Sequence, residues 1–484
     1  MSHADPLLRA DLASLLPELL LGGFAILVLL GDALAPSLRR LWLPLSAAAT
    51  VAVALLIAAP GWASPSSFGG FIEWTPVTFF LAEIVLLSAA LCLLASQAYL
   101  RREGLGTGEY AALLLWCTVG LLFLARATEL LTLFIALELL SFCLYALAAY
   151  HRRLAMATEA GVKYFLMGAF VSAFVLLGVA LLYGETGTTR LRGIAEALAG
   201  GSGSSVVVTL GFLLLICGFG FKMAVVPFHA WSPDTYQGAP SPFVAFLSVA
   251  PKAASALVLV RLLGTVASAQ VGHNWSQLIA LLAVLSMVGG NLLALVQKDL
   301  KRMLAYSGIA HMGYLLIPLV SVGHDALPPV LVYLLAYALM NAGAFAVVAL
   351  LFARAGEQHL IAELSGWGYR FPFLGLCLTV SMLSLAGIPP TLGFVGKYLV
   401  FFHAIQHGHV TLALVGIAAS LVGAVYYLRV VYVLYMKPEV QAPGPLLIDF
   451  WGRLAVLAAA AGTLVLGVWP GGLLDWLARA IGAP

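Results

Sequence analysis

The sequence predicts an all-α, polytopic membrane bundle of about fourteen transmembrane helices, and three observations carry that prediction. Only 9% of the 484 residues are charged while 62% are hydrophobic, and the mean hydropathy is +1.04. A soluble globular chain carries about 25% charged residues, so these few charges cannot cover a water-exposed surface. Apolar runs of about 20 residues, the length that crosses ~30 Å of hydrocarbon, recur along the whole chain. The connections between them are short. A soluble enzyme, a disordered chain and a secreted disulfide scaffold are thereby excluded, and a single transmembrane domain, 1–484, is expected.

Each run is bounded by Gly, Pro or charged residues. The first, 12–34, follows Asp5, Arg9 and Asp11. No net-positive region precedes it, so it is expected to remain as a span and not to be cleaved as a signal. The next are 41–59, 76–99, 109–126 and 128–150, then 160–183, 205–229, 239–264 and 276–297. The last five are 302–320, 328–353, 372–403, 408–436 and 452–474. The longest polar stretch, 185–204, runs into the flexible GGSGSS of Gly200 to Ser205, and no segment has room for a soluble domain.

Lys and Arg set the expected orientation. Loops after odd-numbered spans hold thirteen: Arg39, Arg40, Arg101, Arg102, Arg152, Arg153, Lys298, Lys301, Arg302, Arg354, Arg370, Lys437 and Arg453. The opposite side holds five, Arg9, Arg126, Arg190, Arg192 and Arg479. By the positive-inside rule the first set faces the cytoplasm and both termini face the other, periplasmic side, as an even number of spans requires.

The net charge of +3 gives no reason to expect a nucleic-acid partner. Cys92, Cys117, Cys143, Cys217 and Cys377 lie singly in apolar stretches, without the CxxC spacing of zinc, iron–sulfur or c-type haem sites. No GxGxxG or GxxxxGK[ST] follows a strand, so neither a dinucleotide nor ATP is expected on this chain.

Six basic residues fall inside the spans: Lys163, Lys222, Lys252, Arg261, Lys397 and Arg429. A charge at mid-bilayer costs about 2.5–3.5 kcal/mol even on insertion scales, so these residues call for a partner or a function. Glu138 lies mid-span in LTLFIALELLSFCLYALAAY. Lys222 lies in GFGFKMAVVPFHAW, where Gly218, Gly220 and Pro227 loosen a helix, and Lys252 follows Pro251. Lys397 ends GIPPTLGFVGK, where Gly387, Pro389, Pro390 and Gly393 interrupt a long apolar stretch. Broken helices at membrane depth are tolerated only inside protein or along a wet cavity, and paired breaks in corresponding halves of a transporter point to an ion path.

Lysine and carboxylate suit such a path. Burial disfavours an ammonium and a nearby carboxylate favours it, so moving the carboxylate switches a lysine between holding and releasing a proton. A swing of two pKa units is about 2.7 kcal/mol, whereas one charge moved against ~200 mV requires about 4.6 kcal/mol. A series of such sites is therefore needed.

Polar residues in a bundle also serve as glue between helices, and that reading stays open for each residue singled out. Arg261 and Arg429, nearer span ends, fit snorkelling at least as well. Lys163 is open to either role. His229 and His311 have a side chain whose ordinary pKa of about 6.5 suits a proton relay, but a hydrogen-bonded packing histidine is an equal reading. Glu83, Glu129 and Asp234 lie toward span ends and are expected to be structural.

The segment KMAVVPFHAWSPDTYQGAPSP, Lys222 to Pro242, with the upstream span bearing Glu138, resembles the antiporter-like subunits of respiratory complex I, which are similar to subunits of Mrp-type cation/proton antiporters. KYFLMGA (Lys163 to Ala169), KDLKRMLAYSGIAHMGY (Lys298 to Tyr314) and GIPPTLGFVGKY (Gly387 to Tyr398) follow in the family's order. The lysine at Lys397 resembles the N-type members; the M-type pattern has glutamate there, and the L-type carries a long lateral helix for which no length remains. The resemblance implies two inverted five-helix repeats, 109–264 and 276–436, each with one broken helix. It implies that Glu138 pairs with Lys222, that Lys252 is a central relay, that His311 lies on the connecting axis, and that Lys397 is the distal site of exchange. It also implies a bacterial inner-membrane location among other membrane and hydrophilic subunits. NADH, FMN, iron–sulfur clusters and quinone then belong to those subunits, and this chain holds no cofactor.

Proton translocation within NADH:quinone oxidoreductase is therefore the leading expectation, with Glu138, Lys222, Lys252 and Lys397 carrying it. The rivals are a free-standing Mrp-type antiporter and a scaffold whose charges only join helices.

Overall fold

The computed structural model describes residues 6–59, 66–201, 205–268, 275–321, 324–352, 359–439 and 448–481. Asp5, Arg354 and the middle of the Gly200–Ser205 run lie outside them. The described residues form a helical bundle whose only sheet is a two-stranded hairpin, Ser66–Ser67 with Ile72–Glu73.

The expected run 12–34 is two helices, α1 (Pro6–Ser14) and α2 (Leu16–Leu34), parted at Leu15. The Ser14 carbonyl that the break frees accepts from Trp74 Nε1 at 3.1 Å. After α3 (Trp42–Ala58) comes α4 (Pro76–Arg102), which starts at a proline, where no N–H is missed. Thr75 and Thr78 close a reciprocal cap around that start. Then come α5 (Gly108–Arg126) and α6 (Leu130–Ala148), the latter capped by Glu129, which accepts from Thr132 N at 2.6 Å. The 32-residue α7 (Ala155–Thr186) stops at Gly187, whose φ of +69° suits glycine.

The polar stretch 185–204 is not only a loop. It holds α8 (Leu191–Ala199), whose buried Leu191, Ile194 and Leu198 form a helical apolar stripe that composition alone obscured. The expected spans 205–229 and 239–264 are each divided, into α9 (Ser205–Met223) and α10 (Trp231–Gly238), and into α11 (Ser241–Leu247) and α12 (Ala250–Ser268). Pro251 has no N–H to offer the Leu247 carbonyl, which accounts for the second division.

The chain continues through α13 (Trp275–Leu295) and α14 (Leu300–Leu316), capped by Asp299, which accepts from Arg302 N at 2.9 Å. The run 302–320 thus ends early, in a 3₁₀ turn at Pro318–Val320. Next are α15 (Leu327–Leu351), the short α16 (Trp367–Arg370), and α17 (Pro372–Ala386) and α18 (Leu392–Gln406), which divide the expected 372–403. The chain closes with α19 (Val410–Met436), α20 (Phe450–Val468) and an amphipathic α21 (Gly471–Ile481).

Among the described residues eleven spans are long and apolar enough to cross a membrane, with α3, α17 and α18 shorter. The segment α11–α12 and helix α15 are 94% buried in their apolar windows and form the centre; α2, α7 and α20, at 33%, lie outside. Backbones approach closely where side chains vanish. A Cβ on Gly290 of α13 would sit 2.6 Å from Ala310 N of α14, and one on Gly313 would meet Met287 N at 2.7 Å.

Four basic residues differ from expectation. Arg126 is not in a loop: it is fully buried, hydrogen-bonded to Glu18, with its guanidinium 4.0 Å over the Trp74 ring. Lys301 is buried as well and donates to Ala239 O at 2.7 Å. Arg261 and Arg429 do not snorkel. They bond the carbonyls of Ala127 (2.7 Å) and of Leu295 and Gln297 (3.0 and 2.7 Å), at the C-terminal ends of α5 and α13, where a cation meets the negative end of the helix dipole.

The contact pattern around these ends recurs. Glu129 bridges Arg190 as Asp299 bridges Leu360, and Leu130 N bonds Thr189 O as Leu300 N bonds His359 O, each pair 170 positions apart. The spacing also relates Leu191 N→Thr128 O to Ile361 N→Lys298 O.

Candidate functional site

Two groups of ionisable side chains lie inside the bundle. In the first, Lys222 occupies the last turn of α9, just ahead of the break before α10. The break begins with Ala224 at φ +59°, a left-handed conformation that costs a non-glycine residue about 1–3 kcal/mol. Lys222 is 3% exposed, and its Nζ has no hydrogen-bond partner. It lies 5.3 Å from the ring centres of Tyr145 and of Tyr164, a contact that favours the ammonium by about 0.5–2 kcal/mol without offering an acceptor. Glu138, half-buried on α6, accepts from Ser172 Oγ on α7 at 2.5 Å. It is within Coulombic reach of Lys222, although no N–O contact within 4.0 Å joins the two. His229 lies in the break, half-buried, and its Nδ1 bonds nothing.

The second group is larger. Lys252 on α12 is fully buried, its Nζ 5.6 Å from the Tyr236 ring and 5.8 Å from that of Tyr337, again without a hydrogen-bond partner. Gly308 of α14 leaves room there: a Cβ would lie 3.0 Å from Lys252 Nζ and 2.7 Å from Tyr337 Oη. The same phenol accepts from Asn341 at 3.2 Å, and Asn341 also donates to Ser248 Oγ at 2.7 Å, in the gap between α11 and α12. One turn from Gly308, His311 bonds Tyr333 Oη through Nδ1 at 2.7 Å and Tyr427 Oη through Nε2 at 3.0 Å. Tyr427 in turn bonds Ser307.

Lys397 ends the line. Its Nζ donates to Leu385 O (2.9 Å), Ala386 O (3.0 Å) and Ser420 Oγ (2.7 Å) and lies 5.2 Å from the Tyr314 ring. Those two carbonyls are the orphan acceptors at the C-terminus of α17, so the broken helix itself builds the lysine's site. The glycine that ends α17, Gly387, is required twice: its φ is +82°, and a Cβ would lie 2.7 Å from Lys397 Cδ. Tyr314 accepts from Asn291 at 3.0 Å, and Asn291 accepts from Tyr426 at 2.9 Å.

The structure thus puts His311 and Lys397 among hydrogen-bonded tyrosines, sets Lys252 beside them against the rings of Tyr236 and Tyr337, and places Lys222 and Glu138 apart. Between the groups stands an aromatic wall, Tyr164 stacked on Trp231 at 4.5 Å and Trp231 against Tyr236 at 6.2 Å. Hydroxyl and imidazole groups both donate and accept, so the second group has the elements to pass a proton by rearranging its bonds.

Other residues stand where structure needs them. Lys163 pairs with Glu159 (2.7 Å) and Asp234 (2.9 Å), and Asp234 also takes Arg302 at 2.7 Å. Sequence reading missed Tyr333, Tyr337 and Tyr427, as well as Asn341 and Ser420. One signal was available: Tyr333 and Tyr337 are four residues apart in an otherwise apolar helix, hence on one face.

A bundle of this kind, with Lys222, Lys252 and Lys397 held in its interior and each beside a helix break, defines a multi-pass membrane protein of the ion-translocating class. The family of NADH:quinone oxidoreductase/Mrp antiporter transmembrane proteins has a model that matches residues 127–423. NADH-quinone oxidoreductase subunit N of Trichlorobacter lovleyi is 40% identical over 473 residues, 97% of each chain. A chain of respiratory complex I from Thermus thermophilus matches with a TM-score of 0.80 at 35% identity, covering 95% of this chain and 99% of that one. A chain of the Mrp complex from Dietzia sp. matches with the same TM-score of 0.80 at 20% identity over 97% of each, a likeness of fold alone. The chain belongs to the NADH-quinone oxidoreductase subunit N family.

Proposed function

We propose that this chain is a proton-translocating membrane subunit of NADH:quinone oxidoreductase, working among the other membrane and hydrophilic subunits of that complex. One observation carries the reading: His311, bonded on both sides by tyrosines, stands between Lys252 and Lys397 on a line of polar groups buried in the centre of the bundle. In this reading Lys222 exchanges its proton under the influence of Glu138, Lys252 relays it, and Lys397 is the distal exchange site. His311 belongs to the path, and His229 serves entry at the break. Moving the Glu138 carboxylate changes the balance between charged and neutral lysine, which is the elementary step.

The finer architecture follows the same reading. Fourteen spans are counted when α9–α10, α11–α12 and α17–α18 are each taken as one broken crossing. Two inverted five-helix repeats occupy 109–264 and 276–436, a division supported by the contacts that recur at a spacing of 170 residues. NADH oxidation, FMN, the iron–sulfur clusters and quinone belong to other subunits, which makes this chain the translocase part of the enzyme. The location is the bacterial inner membrane with both termini periplasmic. Without Arg126 and Lys301 the charge asymmetry between the two faces keeps its sign.

The test is pumping in membrane vesicles by the assembled complex. Glu138→Ala and Lys222→Ala should each abolish most proton uptake while assembly and NADH oxidation by the hydrophilic part persist. Undiminished pumping in both variants defeats the proposal. The Mrp-type alternative predicts co-purification with small membrane subunits and no NADH-oxidising arm.

A further inference from the structure

The last turn of α18 carries a cluster that the lysine line does not use. His403 and His407 are four residues apart, so they share one helix face, and their rings stack at 4.1 Å with 24° between planes. Asp325, in the 3₁₀ turn that leads into α15, faces both. Its Oδ2 lies 2.5 Å from His407 Nε2 and 3.8 Å from His403 Nε2. One donor atom from each of the three residues lies within 4.8 Å of the others.

Two further facts say what the cluster is built to hold. His407 Nδ1 is 2.9 Å from the carbonyl oxygen of His403. A carbonyl only accepts, so Nδ1 carries the proton and Nε2 is turned toward the carboxylate. An outer bond of this kind fixes the tautomer of a metal-bound histidine. His403 is 5% exposed, and neither of its ring nitrogens has a hydrogen-bond partner. A buried imidazole with both nitrogens unmatched is destabilising unless something binds it. A proton shared by His407 and Asp325 accounts for their short contact but does nothing for His403.

We propose that Asp325, His403 and His407 form a binding site for a divalent transition-metal cation of the zinc class. Two imidazoles and a carboxylate are the donor set of three-ligand zinc sites, which leave a fourth position open. Metal–ligand bonds of about 2.0–2.1 Å in tetrahedral geometry place donor atoms about 3.3 Å apart. The observed 2.5 and 3.8 Å bracket that spacing, so small rotations of the partly exposed His407 and Asp325 close the site. It lies on the face of the bundle that is poor in Lys and Arg. Lys397 is six residues earlier on α18, about 9 Å along its axis, and Tyr333 and Tyr337 lie on α15 just beyond Asp325. A bound ion therefore ties together the two elements that hold the distal lysine and its tyrosine scaffold.

The experiment uses the full-length chain in detergent, free of metal and without a polyhistidine tag, titrated with ZnCl2 by calorimetry and heated with and without Zn2+. One Zn2+ per chain should bind with a micromolar or lower Kd and raise the unfolding midpoint. Asp325→Asn and His407→Gln, at the exposed rim, should each weaken binding at least tenfold and remove the Zn2+-dependent rise, while their metal-free midpoints stay at the parent's. His403→Ala should abolish saturable binding. If that variant fails to fold, the two rim variants decide. No saturable binding by the parent, or parent-like affinity in both rim variants, overturns the proposal.

Discussion

Lys222 and Lys397 each stand beside a broken helix, yet the protein treats them differently. Lys397 has three hydrogen bonds, two to carbonyls that the break leaves open. Lys222 has none and rests against two tyrosine faces. The difference extends outward. Around Lys397 the groups are phenols, amides and an imidazole that bond one another, while around Lys222 the groups are aromatic and its carboxylate, Glu138, bonds Ser172 instead. Lys397 is held by directed bonds, whereas Lys222, like Lys252, is held by polarisable rings. Under the proposed function, the loosely held lysine is the one whose proton is most easily moved.

The largest effect that sharpens this contrast is functional. Lys222→Met and Lys397→Met should each lower proton pumping at least tenfold in vesicles of the assembled complex. If only Lys397→Met does so, the first group is not on the path.

Stability should separate the same two variants. Lys397→Met leaves three acceptors without their donor, at about 1–3 kcal/mol for each buried group left unmatched, and should lower the unfolding midpoint. Lys222→Met removes an unpartnered buried charge and should leave the midpoint unchanged or raise it. Equal losses for both would erase the distinction.

A third comparison uses tyrosines. Tyr427→Phe breaks the bonds to His311 and Ser307 and should destabilise by about 1–3 kcal/mol. Tyr145→Phe removes a hydroxyl that has no partner and should change the denaturation midpoint little. Gly387→Ala tests the break itself. It forces a side chain to φ +82° and against Lys397, and should cost about 1–3 kcal/mol together with lost pumping.

The smallest effect lies outside the spans, at the cap of α6. Burial raises the Glu129 carboxyl, but hydrogen bonds from Thr189 and Thr132 outweigh it, so its pKa lies below the ordinary value. Its contribution is therefore present above the ordinary carboxylate range and is lost as pH falls through the depressed value. Glu129→Gln should lose about 0.5–2 kcal/mol near neutrality, as capping losses do, and denaturation curves of variant and parent should converge in acid. A gap that persists at low pH would show that the charge is not what matters.

Much of this was legible from residue order. The apolar runs, the lysines at Lys222, Lys252 and Lys397, and the interruptions near Pro227 and Gly387 are properties of neighbouring residues, and they hold. The division of 239–264 at Pro251 is equally local: the proline beside Lys252 is visible in the sequence, although the run reads as one span because it is apolar throughout. Arg126 was not legible: its partner Glu18 lies 108 positions away, and at a span end a buried arginine looks the same as a loop arginine. The tyrosine scaffold was hidden for a similar reason, since phenols in apolar helices read as packing until a partner comes within reach.

Sequence alone determined that this chain lives in a bilayer and that lysines in mid-run had to be sheltered, because the free energy of placing a segment in hydrocarbon is close to a sum over its own residues. Tertiary structure alone decided which of those charges are bonded and which are bare. His311 meets Tyr333 from 22 positions away and Tyr427 from 116. A hydrogen bond depends on a few tenths of an ångström between such groups, and no local sum contains that distance.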